Sequence, residues 1–227
     1  MTGPAPARRA LVVRHEPIIA AGHVGERARQ RGFALTEVDT DFPAGVDSAD
    51  LVIVLGSVQS VYDPDVAWVP AELRLLTRAV ERDVPVLGIC FGAQILAKAL
   101  GGTVSSAETP EFGWYTIESD RPVLVEEGLW LESHRDAFTV PPGAVEIARS
   151  PAGPQAYTVG PHMGVQFHPE VTVATLGVWA DGWRRHHRDL LTDAEIDRIL
   201  AEARACAGSY RLRAHRLFDA FLAHAFD

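Results

Sequence analysis

Apolar positions along the first hundred residues fall into two rhythms. Residues 10–16 (ALVVRHE) and 34–40 read as strands, the second alternating apolar with polar residues. Residues 51–56 (LVIVLG) and the run PVLGIC from Pro85 to Cys90 are apolar without alternation. Such runs fit strands covered on both faces. Between them, Val66, Val69, Leu73, Leu76 and Val80 recur at helical spacing and predict a helix over 66–83. Shorter helices are expected at 22–32 and 91–100, the latter closed by Gly101 and Gly102.

The pattern changes in the middle of the chain. Residues 103–108, 113–119, 129–134, 144–150, 155–160 and 163–168 are short strand-like runs separated by turns, as in an antiparallel extension of a sheet. From about 172 the chain is expected to be helical to its end, with Asp193 capping the last long helix. The fold class that follows is α/β: a mixed, mostly parallel central sheet with helices on both faces. Residues 1–185 are expected to form one domain, and 186–227 a helical appendage packed on it. Leu200, Ala203, Leu212, Leu217, Phe218 and Phe221 would supply the packed stripe.

Composition narrows the chemistry. Of 227 residues 47% are apolar, enough for a sizeable core, and the formal net charge of −9 argues against a nucleic-acid partner. The two cysteines, Cys90 and Cys206, form no CxxC pair, so neither a disulfide framework nor a four-ligand zinc site is indicated. No HxxxH or HExxH spacing occurs among the nine histidines; neither a catalytic metal nor another cofactor is expected. His186 and His187 read as a solvated helix face. Arg14 interrupts the first apolar run, and no stretch approaches the ~20 apolar residues of a membrane span, so the expected setting is cytoplasmic and away from membranes.

Three segments carry candidate chemistry. In Gly88-Ile89-Cys90-Phe91-Gly92 a cysteine sits between a strand and a helix, flanked two residues away by glycines. That is the pattern of a nucleophile elbow, whose turn is too sharp for side chains at the flanking positions. The helix N-terminus would favour a thiolate at Cys90, and the Phe91 N–H would face an oxyanion. A buried structural cysteine is the competing reading. In Val165-Gln166-Phe167-His168-Pro169-Glu170, His168 and Glu170 would point the same way from an extended backbone, as base and orienter for a thiol. Leu55-Gly56-Ser57 ends a buried strand, where ligands bind in doubly wound sheets; an N–H of Gly56 or Ser57 would complete an oxyanion hole.

The conjunction of GICFGAQ, VQFHPEV, LGSVQSVYD, EFGW at 111–114 and SHRDAF at 133–138 resembles the triad-type class I glutamine amidotransferases, over about residues 10–172. Within that family it resembles the free-standing, GMP-synthase-like glutaminase domains, with their flavodoxin-like fold. The resemblance implies that Cys90, His168 and Glu170 form the catalytic triad and that Gln94 contacts the amino-acid end of glutamine. It also implies that the backbone of Ser133, His134 and Arg135 holds that same end. Ser57 stands where the family usually has glycine, and Arg135 where glycine is frequent.

The implied reaction is hydrolysis of the glutamine side-chain amide. Glutamate is released, and ammonia passes to an acceptor on a separate synthetase. GMP synthesis by this chain is not expected, because no GxxxxGK[ST] phosphate loop or synthetase half is present. Two alternatives stand beside this: a γ-glutamyl peptidase using the same triad, and a non-catalytic module retaining the fold.

Overall fold

The unbroken apolar runs become the centre of the sheet. The computed structural model describes residues 8–40, 42 and 48–226. Its strands are β1 (Arg8–Val13), β2 (Phe33–Val38), β3 (Leu51–Val54), β4 (Val86–Ile89), β5 (Val104–Ser119), β6 (Gly128–Phe138), β7 (Val145–Ser150), β8 (Gly153–Val159) and β9 (His162–Val165). They form one sheet in the order β2-β1-β3-β4-β9-β8-β7-β5-β6. The ladders from β2 to β9 are parallel, and those from β9 to β6 antiparallel. Every residue of β3 and β4 is buried, because both sheet faces are covered.

The two faces have separate cores. Val12, Ile53 and Leu87 face one layer, formed with α1 (Gly22–Gln30), α4 (Val173–His186) and α5 (Asp193–Phe226). Leu11, Val52 and Val86 face the other, formed with α2 (Val69–Glu81) and α3 (Phe91–Ala99). Adjacent residues on a strand point to opposite faces, so each strand stitches both layers together.

Several expected elements are redrawn. The runs 103–108 and 113–119 are one long strand, β5, whose register with β6 shifts between Ser106 and Glu111. β9 ends at Val165, so His168 and Glu170 lie beyond the strand, with Gln166 and Phe167 in bends and Pro169 and Glu170 in a turn. The C-terminal helical region breaks at 187–192. The long helix is capped by Thr192 rather than Asp193. The Thr192 hydroxyl accepts from the Glu195 N–H at 3.3 Å, and Glu195 accepts from the Thr192 N–H at 2.8 Å, a reciprocal capping box.

α5 docks by burying Phe218 and Phe221 completely, each worth roughly 1.5–3 kcal/mol of transfer free energy. Leu212, expected on the packed stripe, is exposed, because it falls on the opposite side of the helix from Ala214 and Leu217. Asp219 ties α5 to Arg27 (2.6 Å) and Arg31 (2.6 Å) at α1. No helix among the described residues is long and apolar enough to cross a membrane.

Candidate active site

The C-terminal ends of β3, β4 and β9 lie side by side in the sheet, and each delivers a candidate residue to the same edge. Cys90 follows β4 and precedes α3, with φ 53° and ψ −109°, a conformation that L-residues other than glycine rarely adopt. The flanking glycines are required by contact. A Cβ on Gly88 would lie 2.4 Å from the Gly92 carbonyl oxygen, and one on Gly92 would lie 2.2 Å from that of Val54. The Cys90 N–H donates to the Val165 carbonyl at 2.8 Å, which anchors the turn to the end of β9. The sulfur accepts from Gln166 Nε2 at 3.5 Å and lies 3.9 Å from the Ser133 carbonyl.

His168 and Glu170 meet just beyond the end of β9, where residues 169–170 form a turn. Nδ1 of His168 lies 2.8 Å from Glu170 Oε1, both side chains are buried, and Nε2 makes no hydrogen bond among the described residues. Burial disfavours a charged ring here, but the charges of Glu170 and Cys90 and the hydrogen bond to Glu170 outweigh it and raise the His168 pKa well above the ordinary histidine range. Trp179 of α4 meets the His168 ring edge-on at 4.9 Å. From α5, the Tyr210 hydroxyl donates to the His168 carbonyl at 2.8 Å. The start of α1 holds the next residue but one, with the His23 N–H donating to the Glu170 carbonyl at 2.9 Å.

The Gly56–Ser57 loop completes the edge. A Cβ on Gly56 would stand 3.3 Å from His168 Cε1 and 3.8 Å from Cys90 Cβ, so these three residues surround one small space. Glu16 fixes the loop from below, accepting from the Ser57 hydroxyl at 2.9 Å and the Val58 N–H at 3.2 Å. Further along, Ser60 and Tyr62 both donate to Asp136, which joins this loop to the segment at 133–138.

The residues expected at the substrate's amino-acid end all border one cavity of about 500 Å³ together with Cys90 and His168. Gln94 is buried, its amide nitrogen donating to the Asp136 carbonyl (3.1 Å) and Gln166 Oε1 (3.2 Å). The His134 ring nitrogens lie 3.0 Å from the Asp136 carbonyl and 3.0 Å from Glu111 Oε2. Arg135 is half-exposed and paired with Asp189 at 3.1 Å. Phe112, Trp179 and Trp183 give the cavity an aromatic wall. His186 and His187 also border it; His187 is half-buried against Phe112 at 5.3 Å and so is not simply a solvated face.

Beneath this floor, Glu111, Glu132 and His134 bring possible metal-ligating atoms within 4.8 Å of one another. Glu111 Oε2 already serves His134 Nε2 (3.0 Å), Ser150 Oγ (3.1 Å) and Gln155 Nε2 (2.8 Å). Burial first, then the neighbouring Glu111, pushes the Glu132 carboxyl well above the usual carboxylate range. Glu111 thus joins His134, Ser150 and Gln155 in a buried hydrogen-bond network, while neither carboxyl oxygen of Glu132 has a hydrogen-bond partner among the described residues.

The family model for glutamine amidotransferase class-I matches residues 23–178, more than half of the chain. The chain belongs to the class-I glutamine amidotransferase family. It is 38% identical over 152 residues to a glutamine-hydrolysing GMP synthase of Thermomicrobium roseum, covering 63% of this chain and 28% of that protein. A Thermus thermophilus protein of the same name is 33% identical over 177 residues, covering 71% of this chain and 33% of its own length. This amidotransferase chain therefore spans about a third or less of those relatives. Among solved structures, a glutamine amidotransferase from Thermotoga maritima superposes with a TM-score of 0.85 at 23% identity, covering 96% of this chain and 99% of its own. One from Methylobacillus flagellatus gives 0.87 at 24%, covering 96% of each chain. At such identity these two matches establish the fold.

Sequence reasoning missed several residues that shape the candidate site. His15 and Glu16 lie two and three residues past β1, at the same sheet edge that pointed to Gly56, and that position was the available signal. Gln166 lay inside a quoted motif. Tyr210, Glu72 and the packing of Trp179 on His168 carried no local signal, since they reach the site only through tertiary packing.

Proposed function

We propose that this chain hydrolyses the side-chain amide of glutamine, with Cys90 as nucleophile, His168 as general base and acid, and Glu170 as orienter. The observation that carries this is a cysteine at positive φ on a strand-to-helix elbow, beside a buried His168 whose Nδ1 is held by Glu170 at 2.8 Å. The Cys90 sulfur attacks the amide carbon, and the tetrahedral oxyanion is met by the N–H groups of Phe91 and Ser57 at the loop of Gly56. His168 delivers its proton to the departing nitrogen, so that ammonia leaves and a thioester remains. It then takes a proton from water, whose oxygen replaces the sulfur to give glutamate and free Cys90. Gln94 and the 133–135 backbone border the substrate's amino-acid end. We read residues 186–227 as an appendage of the same domain, and a synthetase as the partner that uses the ammonia.

A second reading, hydrolysis of a γ-glutamyl peptide bond, is favoured by one observation. A cavity of about 500 Å³ with an aromatic wall falls in the range that accepts ligands larger than one amino acid. Glutamate release by the purified chain from glutamine and from a γ-glutamyl dipeptide separates the two. Release from glutamine that is lost in Cys90→Ala supports the amidotransferase reading. Release from the dipeptide alone transfers the assignment, and a fully active Cys90→Ala protein would sink the mechanism.

A further inference from the structure

A buried histidine outside the expected triad touches both sides of the oxyanion region. His15, on the loop after β1, has its side chain fully buried. Its Nδ1 lies 2.8 Å from the Gly56 carbonyl oxygen and its Nε2 lies 3.0 Å from Glu72 Oε2, on α2. The ring stacks on Trp68 at 4.7 Å with 23° between planes, and meets Phe91 edge-on at 4.8 Å. Gly56 follows β3 and Phe91 follows Cys90 at the end of the neighbouring β4, so the ring touches both segments that border Cys90 at this edge.

We propose that His15, braced by Glu72, is a positioning residue that holds the Gly56 carbonyl and thereby aims the Ser57 N–H at the oxyanion. The proposal rests on the hydrolase reading above. A peptide unit is planar and trans, so the Gly56 carbonyl and the Ser57 N–H point in opposite directions. His15 does not border the cavity that Gly56, Ser57 and Cys90 share, so a carbonyl held toward His15 sends the N–H toward that cavity. Glycine at 56 is the residue least able to resist a rotation of this peptide, so an external hold has a purpose there.

Both acceptors, a carbonyl and a carboxylate, ask for a proton on each ring nitrogen. The acidic groups facing His15 are Glu72 and, more distantly, Glu16. Burial opposes the charged ring, but the Glu72 hydrogen bond and charge, the Gly56 carbonyl and Glu16 outweigh it and raise the His15 pKa. A doubly protonated ring donates in both directions at once. A neutral ring that kept its proton on Nε2 would set a lone pair against the Gly56 carbonyl and release it.

The test compares His15→Phe, which keeps a ring on Trp68 but loses both hydrogen bonds, with His15→Asn, whose amide nitrogen stands near the place of Nδ1. Steady-state glutamate release gives kcat and KM, and iodoacetamide alkylation of Cys90 gives a reaction at the same sulfur that forms no oxyanion. Losing an oxyanion donor costs roughly 100- to 1000-fold in kcat, and misaiming one is expected to cost about 10- to 100-fold. His15→Phe should show that fall with KM and the alkylation rate within about twofold of wild type, and His15→Asn should recover most of it. Glu72→Leu, which leaves His15 in place without its brace, should lower kcat by about threefold or more and stands in where His15→Phe does not fold. Undiminished kcat in these variants overturns the proposal, as does a parallel loss of kcat and alkylation, or an Asn variant no better than Phe. A wild-type chain that hydrolyses neither glutamine nor a γ-glutamyl dipeptide sinks the hydrolase reading and this one with it. An active wild type with an equally active His15→Phe sinks this one alone.

Discussion

Tyr210 offers a direct measure of what the C-terminal helix does for the candidate site. Its hydroxyl donates to the His168 carbonyl at 2.8 Å and accepts from the Leu131 N–H at 3.4 Å, while its ring packs against Trp114 at 5.0 Å and Trp130 at 5.6 Å. Tyr210→Phe removes the hydroxyl and keeps the ring. Orphaning a buried carbonyl costs about 1–3 kcal/mol. The His168 carbonyl retains a longer bond from the Val171 N–H at 3.3 Å, which places the expected loss near the lower end, about 1 kcal/mol. For a chain of this size that is roughly 2–4 °C in Tm. The same bond fixes the backbone that carries the His168 ring, so kcat should fall by about threefold to tenfold with KM unchanged. Urea unfolding followed by circular dichroism gives the stability term, and glutamate release gives the rate. A Phe variant with wild-type stability and wild-type kcat would refute the idea that α5 positions His168.

Other outcomes follow from the same geometry. Gly92→Ala forces a Cβ to within 2.2 Å of the Val54 carbonyl oxygen and should destabilise the fold by about 3 kcal/mol or more, read as a loss of soluble, cooperatively unfolding protein. Glu170→Gln removes the charge that helps keep His168 protonated, so the His168 pKa, followed by NMR, should fall, and kcat with it; an unmoved titration would remove Glu170 from the orienter's role. Asp219 tests the docking of α5. Its partial burial would raise its pKa, but Arg31 and Arg27 outweigh that and hold the carboxyl well below the usual range. A depressed pKa contributes stability that is full above the unfolded value of about 4 and is lost as pH falls toward the folded value. Asp219→Asn should therefore cost about 1–2 kcal/mol at pH 7, reduced by the half-exposed Arg31, and the gap to wild type should narrow steadily below pH 4. Denaturant midpoints across pH 2–7 check this, and a pH-independent gap would contradict it.

The chain's own pattern determined the buried strands, the elbow and the order of the chemistry. LVIV and VLGI are apolar at every position, the pattern of a strand covered on both faces, and both runs are short and bounded by turn residues. Glycines two residues either side of Cys90 encode a turn whose sterics are local, so the elbow was legible before any fold was known. The pairing of His168 with Glu170 was legible as a motif, but its cause was not. Extended backbone was the expected reason; β9 stops at Val165, and Glu170 sits in the turn that follows His168. Likewise 103–119 read as two runs because Pro110 and polar residues interrupt the pattern, while pairing with β6 carries one strand across the irregularity. Tertiary structure alone decided the rest. His15 and Glu72 are 57 positions apart, and Tyr210 and His168 are 42 apart, and in each pair the contact depends on which helix covers which sheet face. Periodicity reports the face a residue buries, not the partner it meets there. The partners come from layer packing, and these residues became visible only when the two cores were assembled.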